Sequence, residues 1–152
     1  MSDINKYIFA IGGGGFTHRK DRSLDNFILS IKNKEILKIG FLPTASRDSY
    51  EKTELFYERF KKTTHTLSHF ELLKRTIGFQ EWVLSNDIIY VGGGNTYFML
   101  EFWKKNNLTK IFRKAYSNGI ILCGVSAGAV CWFENILSNS LNKEFTHLKG
   151  IG

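Results

Sequence analysis

A chain of 152 residues, 43% hydrophobic and 23% charged, can bury one core and is expected to form a single domain over 1–152. Its formal charge of +7 raises nucleic acid as a partner, but the basic residues are dispersed over HRKDR, KNKEILK, RFKK, LLKR and FWKKNN, and no helix-turn-helix, zinc-finger or aromatic RNA-binding signature accompanies them. No run of about 18 apolar residues and no basic-then-apolar leader occurs, so the expectation is a cytoplasmic protein with neither membrane nor nucleic-acid partner.

Along the chain, short apolar runs with strand character alternate with helical patterns. The first run, YIFAI, ends at Gly12-Gly13-Gly14-Gly15. A dinucleotide fingerprint read from Gly12 or Gly13 would need glycine where Thr17 or His18 stands, so no cofactor is expected there. SLDNFILSI has helical spacing, ILKIGFLP is the second strand and ends at Pro43, and SYEKTELFYERFKK is the next helix. LSHFELL follows as a strand, then DIIYV, which ends at Gly92-Gly93-Gly94. TYFMLEFWKKNNLTKIFRKAY is helical, and IILCGV runs into Ser126. Such alternation predicts an α/β fold, a parallel sheet flanked by helices, with ligands at the carboxyl ends of the strands where the glycine clusters collect.

Two of those clusters carry chemistry. In Gly124-Val125-Ser126-Ala127-Gly128, a tight strand-to-helix turn would hold the serine hydroxyl out of the backbone, and its strain is tolerable only if the residues at minus two and plus two are tiny. A plain strand-to-helix junction with closely packed glycines fits the same five residues. In Gly92-Gly93-Gly94-Asn95-Thr96, Asn95 or Thr96 can cap a helix, but a cap alone does not call for three glycines. Cys123 and Cys131 lie on opposite sides of the bend with no C-x-x-C spacing, and are expected as buried free thiols, with no metal site.

Together the strand, GGGNT, helix, helix, strand and GVSAGA resemble the peptidase E family of serine peptidases, whose relatives include aspartyl dipeptidases and cyanophycinases. LPTAS from Leu42 and WFE from Trp132 support the likeness, which spans essentially the whole chain. The resemblance implies a fold like that of class I glutamine amidotransferases (flavodoxin-like), with Ser126 as nucleophile and the N–H groups of Ala127 and Gly94 as oxyanion hole. Gly93 and Asn95 would lie beside the substrate, a small peptide, with N-terminal aspartate as one candidate. Glutaminases of that fold place cysteine at the elbow, where this chain has serine.

The family's histidine base lies in a Pro-His-aromatic segment after an LKGLG-like stretch, whereas this chain stops at HLKGIG. The expectation is therefore a domain lacking its C-terminal part, truncated before that base. The family's acid lies in a DS-like turn, matched here by Ser138-Asn139-Ser140, and Asn139 accepts a hydrogen bond but carries no charge. Glu134, in WFE, is the carboxylate nearest to Ser126 in sequence and is either catalytic or a structural acid. His147 is either a substitute base or an exposed or packing histidine, His18 is a second substitute with no motif behind it, His65 and His69 read as structural, and Trp132 and Phe133 read as core of the elbow helix. Arg19 and Arg47, just after strand ends, are candidate cations for an acidic substrate side chain. The resulting reading is a serine-type peptidase impaired in this shortened chain. The alternative is a non-catalytic relative that binds peptides or a partner. Uncovered apolar surface or a strand edge would favour a homo-oligomer.

Overall fold

The computed structural model describes residues 5–17 and 22–152. Five strands, β1 (Ile8–Ile11), β2 (Lys38–Leu42), β3 (Thr66–His69), β4 (Ile88–Val91) and β5 (Ile121–Val125), form one parallel sheet in the order β1-β5-β4-β2-β3. β4 and β5 are neighbours, pairing Val91 with Gly124, so the loops after them share one edge. This is the α/β architecture that the alternating pattern requires.

Both faces of the sheet are covered, which is why its central strands read as unbroken apolar runs. Along β4, Ile89 and Val91 enter one core with Met99, Trp103 and Phe112, while Ile88 and Tyr90 enter the other with Phe41, Phe56 and Phe60. The second face carries α1 (Ser23–Ser30) and α2 (Tyr50–Phe60). The first carries α3 (Phe79–Leu84), α4 (Thr96–Lys105) and α5 (Thr109–Ser117). β1 is an edge strand, with Tyr7 and Ile8 exposed.

Several elements differ from the sequence pattern. The apolar run LSHFELL pairs only over Thr66–His69. α3 is a six-residue helix too short for its period to register. The long helical pattern breaks at Asn107, whose φ of 55° ends α4 before α5 begins. The helix after Ser126, α6 (Ala127–Val130), has a single turn. Trp132 is buried beyond that turn, but Phe133 is 54% exposed and is not the core residue expected of it. The chain then forms an antiparallel hairpin, β6 (Asn135–Ser138) with β7 (Thr146–Lys149), outside the main sheet.

A buried polar cluster ties the first glycine loop to the α1/α2 face. Arg59 Nε lies 2.9 Å from Asp25, Arg59 Nη2 donates to the Gly15 carbonyl at 2.5 Å, and the Tyr90 hydroxyl donates to Asp25 at 3.2 Å. Gly15 has φ 56°, and any Cβ there would collide with the Tyr90 hydroxyl, so the loop takes this path only as glycine. Burial pushes the Tyr90 phenol up, and the nearby Cys123 and Asp25 add to that, so it stays a neutral donor. Among the described residues no helix is long and apolar enough to cross a membrane, and no group of acidic, histidine or cysteine side chains could hold a metal ion. Asp25→Asn keeps the shape of the cluster but removes the negative charge facing a guanidinium that is nearly fully buried, and should cost about 3 kcal/mol. Urea denaturation checks this, and a loss under about 1 kcal/mol would mean that solvent already screens the pair.

Candidate functional site

Ser126 stands at the end of β5 with φ 55° and ψ −113°, a backbone conformation unusual for any residue but glycine. Two contacts hold it there. A Cβ on Gly124 would collide with the Gly128 carbonyl, and one on Gly128 with the Val91 carbonyl, so the turn closes only because both positions are bare. The Ser126 N–H donates to the Ile11 carbonyl at 3.0 Å, and its own carbonyl accepts from Ala129 N at 2.8 Å and Val130 N at 3.1 Å. With its backbone anchored on three sides, the side chain is left exposed at the sheet edge.

The loop after β4 lies alongside. A Cβ on Gly93 would sit 3.2 Å from Ser126 Cβ and 3.7 Å from its Oγ, which places this stretch of backbone beside the hydroxyl. Gly94, at φ 150°, passes so close to the Ala45 carbonyl that no side chain fits, and the Asn95 N–H donates to that carbonyl at 2.7 Å. The short turn at Thr44–Ser46 after β2, part of LPTAS, therefore positions the triple-glycine loop. No backbone acceptor among the described residues is bonded to the N–H of Gly93, Gly94 or Ala127.

Asn95 caps α4 with Oδ1, which accepts from Phe98 N at 2.8 Å, while its Nδ2 donates to the Ser140 carbonyl at 2.8 Å. Ser140 Oγ accepts from Tyr97 N at 2.9 Å. Both ends of the Asn95 amide are thus engaged in holding the loop and the Ser138-Asn139-Ser140 turn together, which makes it a scaffold for the site. Asn139 is kept on the rim of a cleft that Ser126 also lines.

Ser126 opens onto two clefts. One, about 370 Å³, lies towards Phe16, Ser46 and Lys52 and includes Gly92, Gly93 and Gly94. The other, about 260 Å³, lies towards Ala127, Val130, Leu137, Asn139 and Phe145, and again includes Gly94. Ser126, Gly93, Gly94, Ala127 and Asn139 are therefore brought together.

Other candidates fall elsewhere. The Glu134 side chain lies beside Gly152 and lines neither cleft. Arg47 stacks on Phe98, its guanidinium carbon 3.9 Å from the ring centroid, also outside both clefts. His147 is on the hairpin, hydrogen-bonded to Asn135 at 3.0 Å. His65 accepts from Leu37 N at 3.2 Å, and His69 bonds the Tyr57 hydroxyl at 2.9 Å, both structural roles at the far side of the sheet. Arg19 and His18 lie outside the described residues. Cys123 and Cys131 are free and buried, and burial pushes both thiols well up, so neither supplies a thiolate.

Lys52 is the site residue that the sequence reading passes over. It is the third residue of α2, whose first turn opens at the carboxyl edge of β2, and a lysine there opposes the positive end of the helix dipole. That unfavourable placement is the signal that could have found it.

A sequence profile of peptidase family S51 matches residues 8–151. YgaJ, an uncharacterized peptidase of Bacillus subtilis strain 168, is 43% identical over 149 residues, covering 97% of this chain and 64% of its own length. Lin0382, an uncharacterized peptidase of Listeria innocua serovar 6a, is 32% identical over 99 residues, covering 65% of this chain and 43% of its own length. The crystal structure of a peptidase from an acI-B1 actinobacterium superposes with a TM-score of 0.73 at 20% identity, covering 95% of this chain and 63% of that one, and shares the fold. The chain thus spans under two thirds of the length of each of these relatives.

Gly128→Ala tests the elbow. The added methyl has backbone rather than a flexible side chain in its way, so the variant should lose about 2 kcal/mol or more of stability by chemical denaturation. A variant as stable as the parent would mean that α6 can withdraw from β4 without cost.

Proposed function

The chain belongs to peptidase family S51, and we propose that it is a serine-type peptidase acting on small peptides through Ser126. The observation that carries the reading is the strained, exposed Ser126 beside a loop of bare backbone amides. In this reading Ser126 Oγ attacks the scissile carbonyl carbon while its proton passes to a base. The carbonyl electrons move onto an oxygen held by the N–H groups of Ala127 and Gly94. The C–N bond then breaks, the amine leaves carrying a proton, and water releases the acyl group from the serine. Asn139 stands where the resemblance puts the acid, and as an amide it can orient a base without stabilising its charge. Peptides with an N-terminal aspartate are the first substrates to try.

The described residues place no histidine in either cleft that Ser126 lines. The base is therefore assigned outside them, to His18 or, as the resemblance implies, to a histidine in the part of its relatives that this chain does not span. Without a base the hydroxyl stays protonated, and loss of a triad member in serine proteases costs on the order of 10⁴ to 10⁶ in turnover. We place the reaction in the cytoplasm, where the two buried thiols stay reduced. Edge strand β1, with Tyr7 and Ile8 exposed, is the surface through which copies would associate.

Hydrolysis of a dipeptide panel, Asp-X included, tests the function, with Ser126→Ala as control and a chain lengthened to the span of the relatives for comparison. The expected result is weak turnover by the 152-residue chain, strong turnover by the longer one, and none in either after Ser126→Ala. A fluorophosphonate should label Ser126 in the longer chain. Peptide binding with no hydrolysis and no labelling in any form would favour a binding protein instead. Hydrolysis by the 152-residue chain at the rate of the longer one would place the base within this chain, with His18 the residue to substitute next.

A further inference from the structure

We propose that Lys52 is the specificity-determining residue of this site, holding a carboxylate of the substrate on its side of Ser126. The inference rests on reading Ser126 as the peptidase nucleophile. The larger of the two clefts that meet at Ser126 is walled by Phe16, Ser46 and the glycine loop, and among the described residues Lys52 is its one charged side chain. Lys52 is half-buried, and no acid among the described residues forms a salt bridge with it. Lysines on a solvated face usually have either open water or an acid beside them. Here the residue lines a concave wall that is partly apolar, where the field of its charge is less screened than at the open surface.

Among the described residues the opposite cleft carries no charged side chain, and Val130, Leu137 and Phe145 give it an apolar lining, with Leu137 69% and Phe145 77% exposed. A peptide crossing Ser126 therefore meets a cation on one side and exposed hydrocarbon on the other. The complementary ligand has a carboxylate on one side of the scissile bond and an apolar side chain on the other. The carboxylate can be an acidic side chain or the free C-terminus of a short peptide, since an ammonium recognises both as a point charge. Of the two cations expected near the site, Arg47 is occupied on the Phe98 ring and lines neither cleft, and Arg19 lies outside the described residues.

The experiment measures binding without turnover, using calorimetry on Ser126→Ala protein titrated with Asp-Leu, Asn-Leu and Asp-Leu amide. At least one of the two neutralised peptides should bind about tenfold or more weakly than Asp-Leu. Loss with Asn-Leu identifies the side-chain carboxylate, and loss with the amide identifies the C-terminal one. Adding Lys52→Met should erase that discrimination, and adding Lys52→Arg should keep most of it. The proposal is overturned if Ser126→Ala protein binds all three peptides alike or binds none, or if the Lys52→Met form still discriminates. Fluorophosphonate labelling of Ser126, read separately in the parent chain and its lengthened form, keeps the two readings apart. Labelling with unchanged discrimination removes only the role of Lys52, whereas absence of labelling and of hydrolysis removes the peptidase reading itself.

Discussion

The site depends on how closely one turn of backbone approaches another. Gly128 lies against the carbonyl of Val91, and Gly124 lies against the carbonyl of Gly128, at separations that leave no room for a Cβ. Because β4 and β5 are hydrogen-bonded neighbours with Val91 opposite Gly124, this contact locks the start of α6 onto the end of β4. The backbone between the two glycines has little freedom left, and Ser126 takes its positive φ as the consequence. The strain is held by the rest of the sheet, through the bond from Ser126 N to the Ile11 carbonyl of the neighbouring strand.

The same economy of side chains recurs around the serine. Gly93 and Gly94 let the loop after β4 pass between Ser126 and the turn at Thr44–Ser46, and the Ala45 carbonyl fixes it by accepting from Asn95. Asn95 and Ser140 then join that loop to the loop that connects the two hairpin strands. Three loops distant in sequence are thus tied into one rim, by backbone groups and two short polar side chains. On the other face, Arg59 donates to the Gly15 carbonyl while Asp25, accepting from Tyr90, fixes the guanidinium, and so the cluster shapes the fourth loop at the same edge. Rigidity of this kind suits a site whose donors must already be aimed when charge develops.

Charge is distributed differently from shape. Most of the lysines and arginines are solvated or paired with neighbouring acids, as Lys61 is with Glu58 and Lys74 with Glu71. Lys34 and Lys32 converge on Asp87: burial pushes that carboxyl up, but the hydrogen bonds from Lys34 and Lys38 N and the two lysine charges outweigh it and hold it below the usual carboxylate range. Lys52 departs from the pattern because it lines the cleft that Ser126 also lines. Position in the fold, and not the net charge, distinguishes it.

Much of this was legible in the sequence where a residue's role follows from its own backbone or from its immediate neighbours. The five strands, the glycine loops after β1, β4 and β5, the bare positions around Ser126 and the cap at Asn95 all belong to that class, since strand period, steric size and capping chemistry act over a few residues. The single-turn α6, the exposed Phe133, the short α3 and the outlying hairpin were not legible, because each is set by what happens to pack against it. Nor was the company that site residues keep. Glu134 is eight residues from Ser126 and lies beside Gly152, whereas Lys52 is far from Ser126 in sequence and shares its cleft. The sequence by itself determined the turn that presents the serine, since glycine at two positions permits a geometry that larger residues forbid. The tertiary structure alone decided which charges face that serine, since side chains meet across a sheet edge according to strand order, which no local pattern encodes.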